Sequence, residues 1–355
     1  MHLDEWHLFE PFWRSATSWR ESLFFVREAP GVPPSAPLLF EPGRIARLGS
    51  ATGLVAYAEG RDFEVDAAGR RIVLTPESRI PHTESADLYR TADQDHGIDH
   101  RVGDEAVKLL FGEGHYFHDL QAEVTYEHVD PWDGCIPAHD RALLPRTAAR
   151  LTAGEPLRIC LSGDSISAGA NASGFTGAAP GLPPYGDLVA RALECRTGSA
   201  VSFTNLAVGG KGAAHGIEVA EQAARSAPDL MLIAYGMNDV GRGDPRGFRE
   251  QIEAGMAIVR RSRPQVEFIL VAPMLGNPEW VHTPADAFAA HRDALAGLCG
   301  EGTALADVTS LWTDLLRRKR YHDLTGNGVN HPNDYGHRVY AQALLSLLVG
   351  MDGAD

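Results

Sequence analysis

The sequence predicts an α/β protein. Its C-terminal part reads as a flavodoxin-like three-layer α/β/α domain with a parallel sheet, and a smaller β-sandwich of jelly-roll type precedes it. Three observations lead there. From residue 157 onward, short apolar runs alternate with amphipathic stretches of helical length. Before about residue 150, the apolar runs are short and alternating, and Gly, Pro, Asp or Ser bounds each of them. The chain has 355 residues, 44% hydrophobic and 22% charged, which suits roughly two globular domains. The expected division is 1–150 and 151–355.

In the N-terminal part, residues 38–80 contain LLFEPGRIARL, GLVAYAEG and DFEVDAAGRRIVLT. The third reads as a hairpin turning around Ala67–Gly69. Residues 106–111 and 120–129 add two strands. Short strands with turn signals between them predict the sandwich. Trp6, Trp13 and Trp19 read as core aromatics, with a sugar-stacking surface as the second reading. Residues 130–156, with their Pro and Gly, read as the crossing between the two parts. The strands that follow are LRICLSG (157–163), AVSFTNLAV (200–208), DLMLIAYG (229–236), VEFILVAP (266–273) and TALADV (303–308). Helices are expected over 184–196, 215–226, 246–262, 284–299 and 309–319, and after Pro332. Five apolar strands separated by helices predict one parallel sheet covered on both faces.

The net charge of −15 disfavours nucleic acid and anionic membrane surfaces as partners and leaves neutral sugars and esters open. Cys135, Cys160, Cys195 and Cys299 are far apart and form no CxxC, so free buried thiols are expected. The start, MHLDEWHLFEPFW, has no basic segment followed by an apolar run, so no signal peptide is expected. No stretch reaches the ~18 apolar residues of a membrane span. The reading is a cytoplasmic protein.

An open parallel sheet holds its ligands at the carboxyl ends of its strands. There the sequence places Gly163-Asp164-Ser165-Ile166, Val208-Gly209-Gly210-Lys211-Gly212, Gly236-Met237-Asn238-Asp239 and, before the last helix, Asn330-His331-Pro332-Asn333. These residue types suit acyl transfer. Ser165 is the candidate nucleophile and His331 the base that takes its proton. The N–H groups of Ser165 and Gly210 and the Asn238 amide are the candidate oxyanion donors. Glycine at 210 suits a close approach of backbone to substrate.

This arrangement resembles the SGNH, or GDSL, hydrolase superfamily. The family's four blocks occur in order as GDSI (163–166), NLAVGGKG (205–212), GMND (236–239) and NHPND (330–334). The resemblance implies that Ser165 and His331 are catalytic, that Ser165, Gly210 and Asn238 form the oxyanion hole, and that neither metal nor organic cofactor is needed. The family usually has an aspartate three residues before the histidine, and here that position is Gly328. The expectation is therefore a Ser–His dyad, or a triad whose third member is unnamed. A backbone carbonyl, Asn327 or an acid from elsewhere in the chain are the candidates to orient His331. Asp323 and Asp334 are the nearest acids in sequence, with Asp334 favoured instead as the cap of the last helix and Asp164 as a structural turn residue. The two-part layout resembles carbohydrate esterases with an N-terminal β-sandwich, which implies a small-acyl esterase acting on a glycan or other small-molecule ester. A thioesterase or lysophospholipase with a longer acyl pocket is the alternative, and a non-catalytic glycan-binding protein is the alternative of another class. His115, His118 and His128, with Asp119 and Asp130, match no metal-site spacing. Gly210-x-Gly212-xxx-Gly216 lacks the acidic partner of a dinucleotide site.

Overall fold

A computed structural model of the protein describes residues 7–137 and 139–349, so Trp6 lies outside the described residues. The C-terminal part is built on a five-stranded, all-parallel sheet. Its spatial order is Val201–Asn205, Leu157–Gly163, Leu230–Ala234, Glu267–Ala272, Thr303–Asp307. Side chains alternate across it, and both faces are apolar. Cys160, Met231, Ile233, Phe268 and Leu270 face the helices Ala213–Arg225 and Pro245–Ser262. Ile159, Leu161, Leu230, Leu232, Ile269 and Val271 belong to a second core, shared with Tyr185–Thr197 and with the last helix, Asp334–Val349. This is the three-layer α/β/α domain that the sequence predicts. The chain runs from Leu157–Gly163 to the edge strand Val201–Asn205 and then returns to the other side, at Leu230–Ala234. The strand order therefore reverses at Leu157–Gly163, and a crevice opens at its carboxyl end.

The N-terminal part is rich in sheet. Thr17–Phe24, Gln121–His128, Pro42–Ser50 and Ala56–Tyr57 pair antiparallel in that order. A second sheet is ordered Phe63–Asp66, Arg71–Leu74, Ser35–Pro37, Val26–Arg27, Thr83–Glu84. The hairpin over 63–74 has the expected turn, with Asp66 opposite Arg71. Leu23, Leu48, Val124 and Tyr126 of the first sheet share one core with Ala36, Phe63, Ile72 and Leu74 of the second.

Three expectations need correction. The crossing over 130–156 contains a helix, Pro145–Ala153, with Pro at its first position and Gly154 left-handed at its end. Those are ordinary helix start and stop residues. Glu267 caps the same helix, accepting hydrogen bonds from the N–H groups of Arg146 at 2.9 Å and Thr147 at 2.7 Å. The strand Thr17–Phe24 was not expected from sequence, because Glu21 breaks its alternation by pointing inward. The four cysteines are free, but only Cys160 is buried, and Cys195 is exposed on the surface of its helix. Trp13 packs in the core, and Trp19 lies 4.0 Å from the His7 ring, centroid to centroid. No helix among the described residues is long and apolar enough to cross a membrane.

Candidate active site

The first parallel strand ends at Gly163, and the chain turns at once into the short helix Ser165–Ala168. Asp164 makes that turn. Its Oδ1 accepts a hydrogen bond from the Ile166 N–H at 3.0 Å, which is the structural role expected for it. Burial pushes the Asp164 carboxyl up to about 7. The Ile166 hydrogen bond opposes that shift and the charge of Asp239 adds to it. Ser165 stands at the first position of the helix, so its own N–H has no carbonyl to bond within it.

His331 arrives from the far end of the chain, on the loop before the last helix. Its Nε2 lies 2.8 Å from Ser165 Oγ. Its Nδ1 lies 2.7 Å from Asn171 Oδ1. Asn171 Nδ2 donates to the Gly114 carbonyl at 2.7 Å, so its oxygen must face the imidazole. Nδ1–H therefore donates to Asn171, which leaves the Nε2 lone pair free to accept the Ser165 hydroxyl proton. Asn327 Nδ2 is 3.0 Å from Nδ1, while Asn327 Oδ1 accepts from the N–H groups of Val329, Asn330 and His331 and so shapes the loop. Burial pulls His331 down to about 4, and the charge of His337 adds to this, so the ring is neutral near pH 7 and can act as a base.

Neither acid near His331 in sequence orients it. Asp323 Oδ1 accepts from Phe24 N–H at 2.7 Å and Oδ2 from Arg320 N–H at 2.8 Å. Asp334 Oδ1 accepts from Ser173 N–H at 2.7 Å, and Asn333 rather than Asp334 caps the last helix, accepting from Gly336 N–H at 3.0 Å. Asn333 takes the cap because the helix begins at Asp334, one residue after it. Among the described residues, the closest acid is Glu113, with Oε2 4.0 Å from His331 Nδ1. The sequence reading missed both Asn171 and Glu113. The available signal for Asn171 was a lone amide in an otherwise small-residue run, Ala168-Gly169-Ala170-Asn171-Ala172. Glu113 gave no local signal.

The glycine block lies beside the nucleophile, and a Cβ at Gly209 would be 3.8 Å from Ser165 Cβ. Gly210 has φ +75°, and a Cβ there would meet open space. Backbone conformation rather than crowding therefore explains glycine at 210. Asn238 Nδ2 donates to the Lys211 carbonyl at 2.9 Å, which ties the asparagine block to the glycine block and leaves its second N–H. Asp239 holds the helix after this loop, each carboxylate oxygen 3.2 Å from the Ala213 N–H. A phosphate on that helix N-terminus would meet this carboxylate.

The histidines 115, 118 and 128 are engaged separately. His115 Nδ1 pairs with Asp119 at 2.6 Å, His118 Nε2 with the Ala179 carbonyl at 2.7 Å, and His128 stacks on Phe40 at 3.8 Å. Among the described residues, no group of three or more His, Cys, Asp or Glu could hold a metal ion.

The sequence model of the GDSL-like lipase/acylhydrolase family matches residues 161–339, half of this 355-residue chain. The chain belongs to that family. The match contains all four blocks of this GDSL protein. Among solved structures, it is similar to a two-domain esterase active on acetylated mannans, at 22% identity and a TM-score of 0.46, over 63% of this chain and 55% of that one. The GDSL chain thus spans a little over half the length of that esterase. It is also similar to an acetylxylan esterase from Geobacillus stearothermophilus, at 19% identity and a TM-score of 0.43, over 57% of this chain and 97% of that one. A member of the lipolytic G-D-S-L family from Veillonella parvula aligns at 17% identity and a TM-score of 0.40, over 53% of this chain and 96% of its own. No curated protein matches the chain.

Proposed function

We propose that the protein is a serine carboxylic ester hydrolase that removes small acyl groups, foremost O-acetyl, from carbohydrate. The observation that carries the hydrolytic reading is the 2.8 Å contact between Ser165 Oγ and His331 Nε2, with Nδ1 anchored on Asn171. Ser165 Oγ attacks the ester carbonyl carbon as its proton passes to Nε2. The N–H groups of Ser165 and Gly210 and the amide of Asn238 receive the oxyanion, and losing one such donor raises a barrier by ~2.7–4 kcal/mol. The bond to the alcohol breaks, and Nε2 returns the proton to the leaving oxygen. Water, deprotonated by the same nitrogen, then attacks the acyl-serine; the bond to Ser165 Oγ breaks, Nε2 returns the proton to that oxygen, and the acid is freed.

Three features support a glycan ester as substrate. Gly209, Gly210 and Lys211 are exposed, so a bulky alcohol can sit at the rim of the site. The net charge of −15 disfavours work on an anionic lipid interface. The layout of an N-terminal sheet-rich part before the hydrolase blocks resembles carbohydrate esterases.

A panel of nitrophenyl esters from acetate to octanoate, with acetylated sugars followed by mass spectrometry, tests the proposal. The acetyl substrates are expected to react fastest, and S165A and H331A to lose about a thousandfold or more in kcat. Rates that climb with acyl length point instead to a thioesterase or lysophospholipase. Sugar binding with no fluorophosphonate labelling of Ser165 points to a non-catalytic glycan binder.

A further inference from the structure

The loop that carries His331 has a gap where the family has a side chain, and the N-terminal part fills it. Gly328 is left-handed, with φ +95°. A Cβ there would run into the Leu110 carbonyl oxygen and the Phe117 ring. The segment holding those two residues, 110–117, is fastened to the active-site loops at two points. Gly112 N–H donates to the Asn327 carbonyl at 3.1 Å, and the Gly114 carbonyl accepts from Asn171 Nδ2 at 2.7 Å. Glu113 sits between those two clips, with Oε2 4.0 Å from His331 Nδ1.

We propose that Glu113, carried by the N-terminal part, is the carboxylate that supports His331 in place of the aspartate absent at position 328. This rests on the serine-esterase reading above. Glu113 is a positioning residue that acts through the imidazole and touches no reacting atom. Asn171 takes the Nδ1 hydrogen bond and fixes the tautomer, but it is neutral and cannot offset the charge that forms on the ring. When Ser165 gives its proton to Nε2, the ring becomes an imidazolium, and the Glu113 carboxylate at 4.0 Å stabilises it without taking the proton. Its side chain is 61% exposed, so water screens part of the effect.

Among the described residues, the titratable groups that act on the ring come from two elements: Glu113 from this segment and His337 from the last helix. On the segment itself His115 is paired with Asp119. An ionised carboxylate beside a histidine favours the protonated ring. Burial raises the Glu113 carboxyl itself, against a hydrogen bond from Asn327, so its support is lost as pH falls through its own titration, above that of His331. Its removal leaves only the His331 titration, and the acid limb of kcat/KM moves to lower pH.

The test is kcat/KM against pH for the full-length wild type, E113Q, E113D and S165A with nitrophenyl acetate, with thermal unfolding of each. E113Q is expected to fold like the wild type, to lose about 10- to 100-fold at the plateau and to shift its acid limb to lower pH, while E113D recovers part of the loss. E113Q with wild-type rates, or with a lowered plateau and an unmoved acid limb, overturns the inference. If S165A keeps wild-type rates, the esterase reading itself has failed, which is a separate result.

Discussion

Asn171 is gripped from two sides, and this is what gives His331 a defined tautomer without a covalent neighbour to do it. The residue is left-handed, at φ +62°, a conformation that asparagine tolerates better than most side chains. N171D keeps an oxygen opposite Nδ1 and adds a charge. Burial now holds His331 near 4, and a carboxylate 2.7 Å away favours the protonated ring. The folded pKa therefore rises, and the acid limb of kcat/KM moves to higher pH, a shift measurable in the nitrophenyl acetate profile. N171A removes the acceptor altogether. It is expected to lower kcat about 10- to 100-fold, with KM little changed, because the loss falls on the orientation of the base rather than on substrate binding.

The loop over 325–331 depends on a backbone that only glycine accepts at 328. G328A adds a methyl group against the Leu110 carbonyl and the Phe117 ring, at a left-handed φ. It is expected to cost about 2–4 kcal/mol in urea unfolding, and a loss under 1 kcal/mol would show that the 110–117 segment yields easily. The elements were legible in the sequence to the degree that their burial was uniform. The strands Leu157–Gly163, Leu230–Ala234 and Glu267–Ala272 are buried almost throughout, so the sheet and its four loop blocks could be read directly. Thr17–Phe24 could not, because Glu21 lies inward and its register shifts between Ser18 and Glu21. Ser165, Gly210, Asn238 and His331 announced themselves by following strands or preceding a helix. Asn171 and Glu113 did not, since their meeting with His331 is decided by tertiary packing across long stretches of chain, and Asn171 alone reaches across 160 residues.

Across the molecule, the two parts are joined by buried polar groups as well as by apolar surface. Lys319 and Glu21 are both buried, with Nζ 2.8 Å from Oε1. Glu21 also accepts from Leu39 N–H at 2.9 Å, Ser18 Oγ at 2.8 Å and Tyr126 OH at 2.7 Å, so its lone pairs are well used. Removing one member of such a pair strands a charge in the core. K319A is expected to cost about 3–5 kcal/mol, read as an earlier midpoint in denaturant. Far-ultraviolet and near-ultraviolet signals should still change together, because the apolar cluster around Phe12, Phe40 and Trp132 is continuous with the one beneath the parallel sheet. The seat of Phe117 beside Gly328 has a further consequence. A chain cut just before Leu157 would leave an oily socket open to water and Asn171 without its tether. The catalytic half is thus no portable cassette: recombination that swaps its front half must supply a matching aromatic plug, or repair the socket with a bulkier residue at 328 and a reshaped loop.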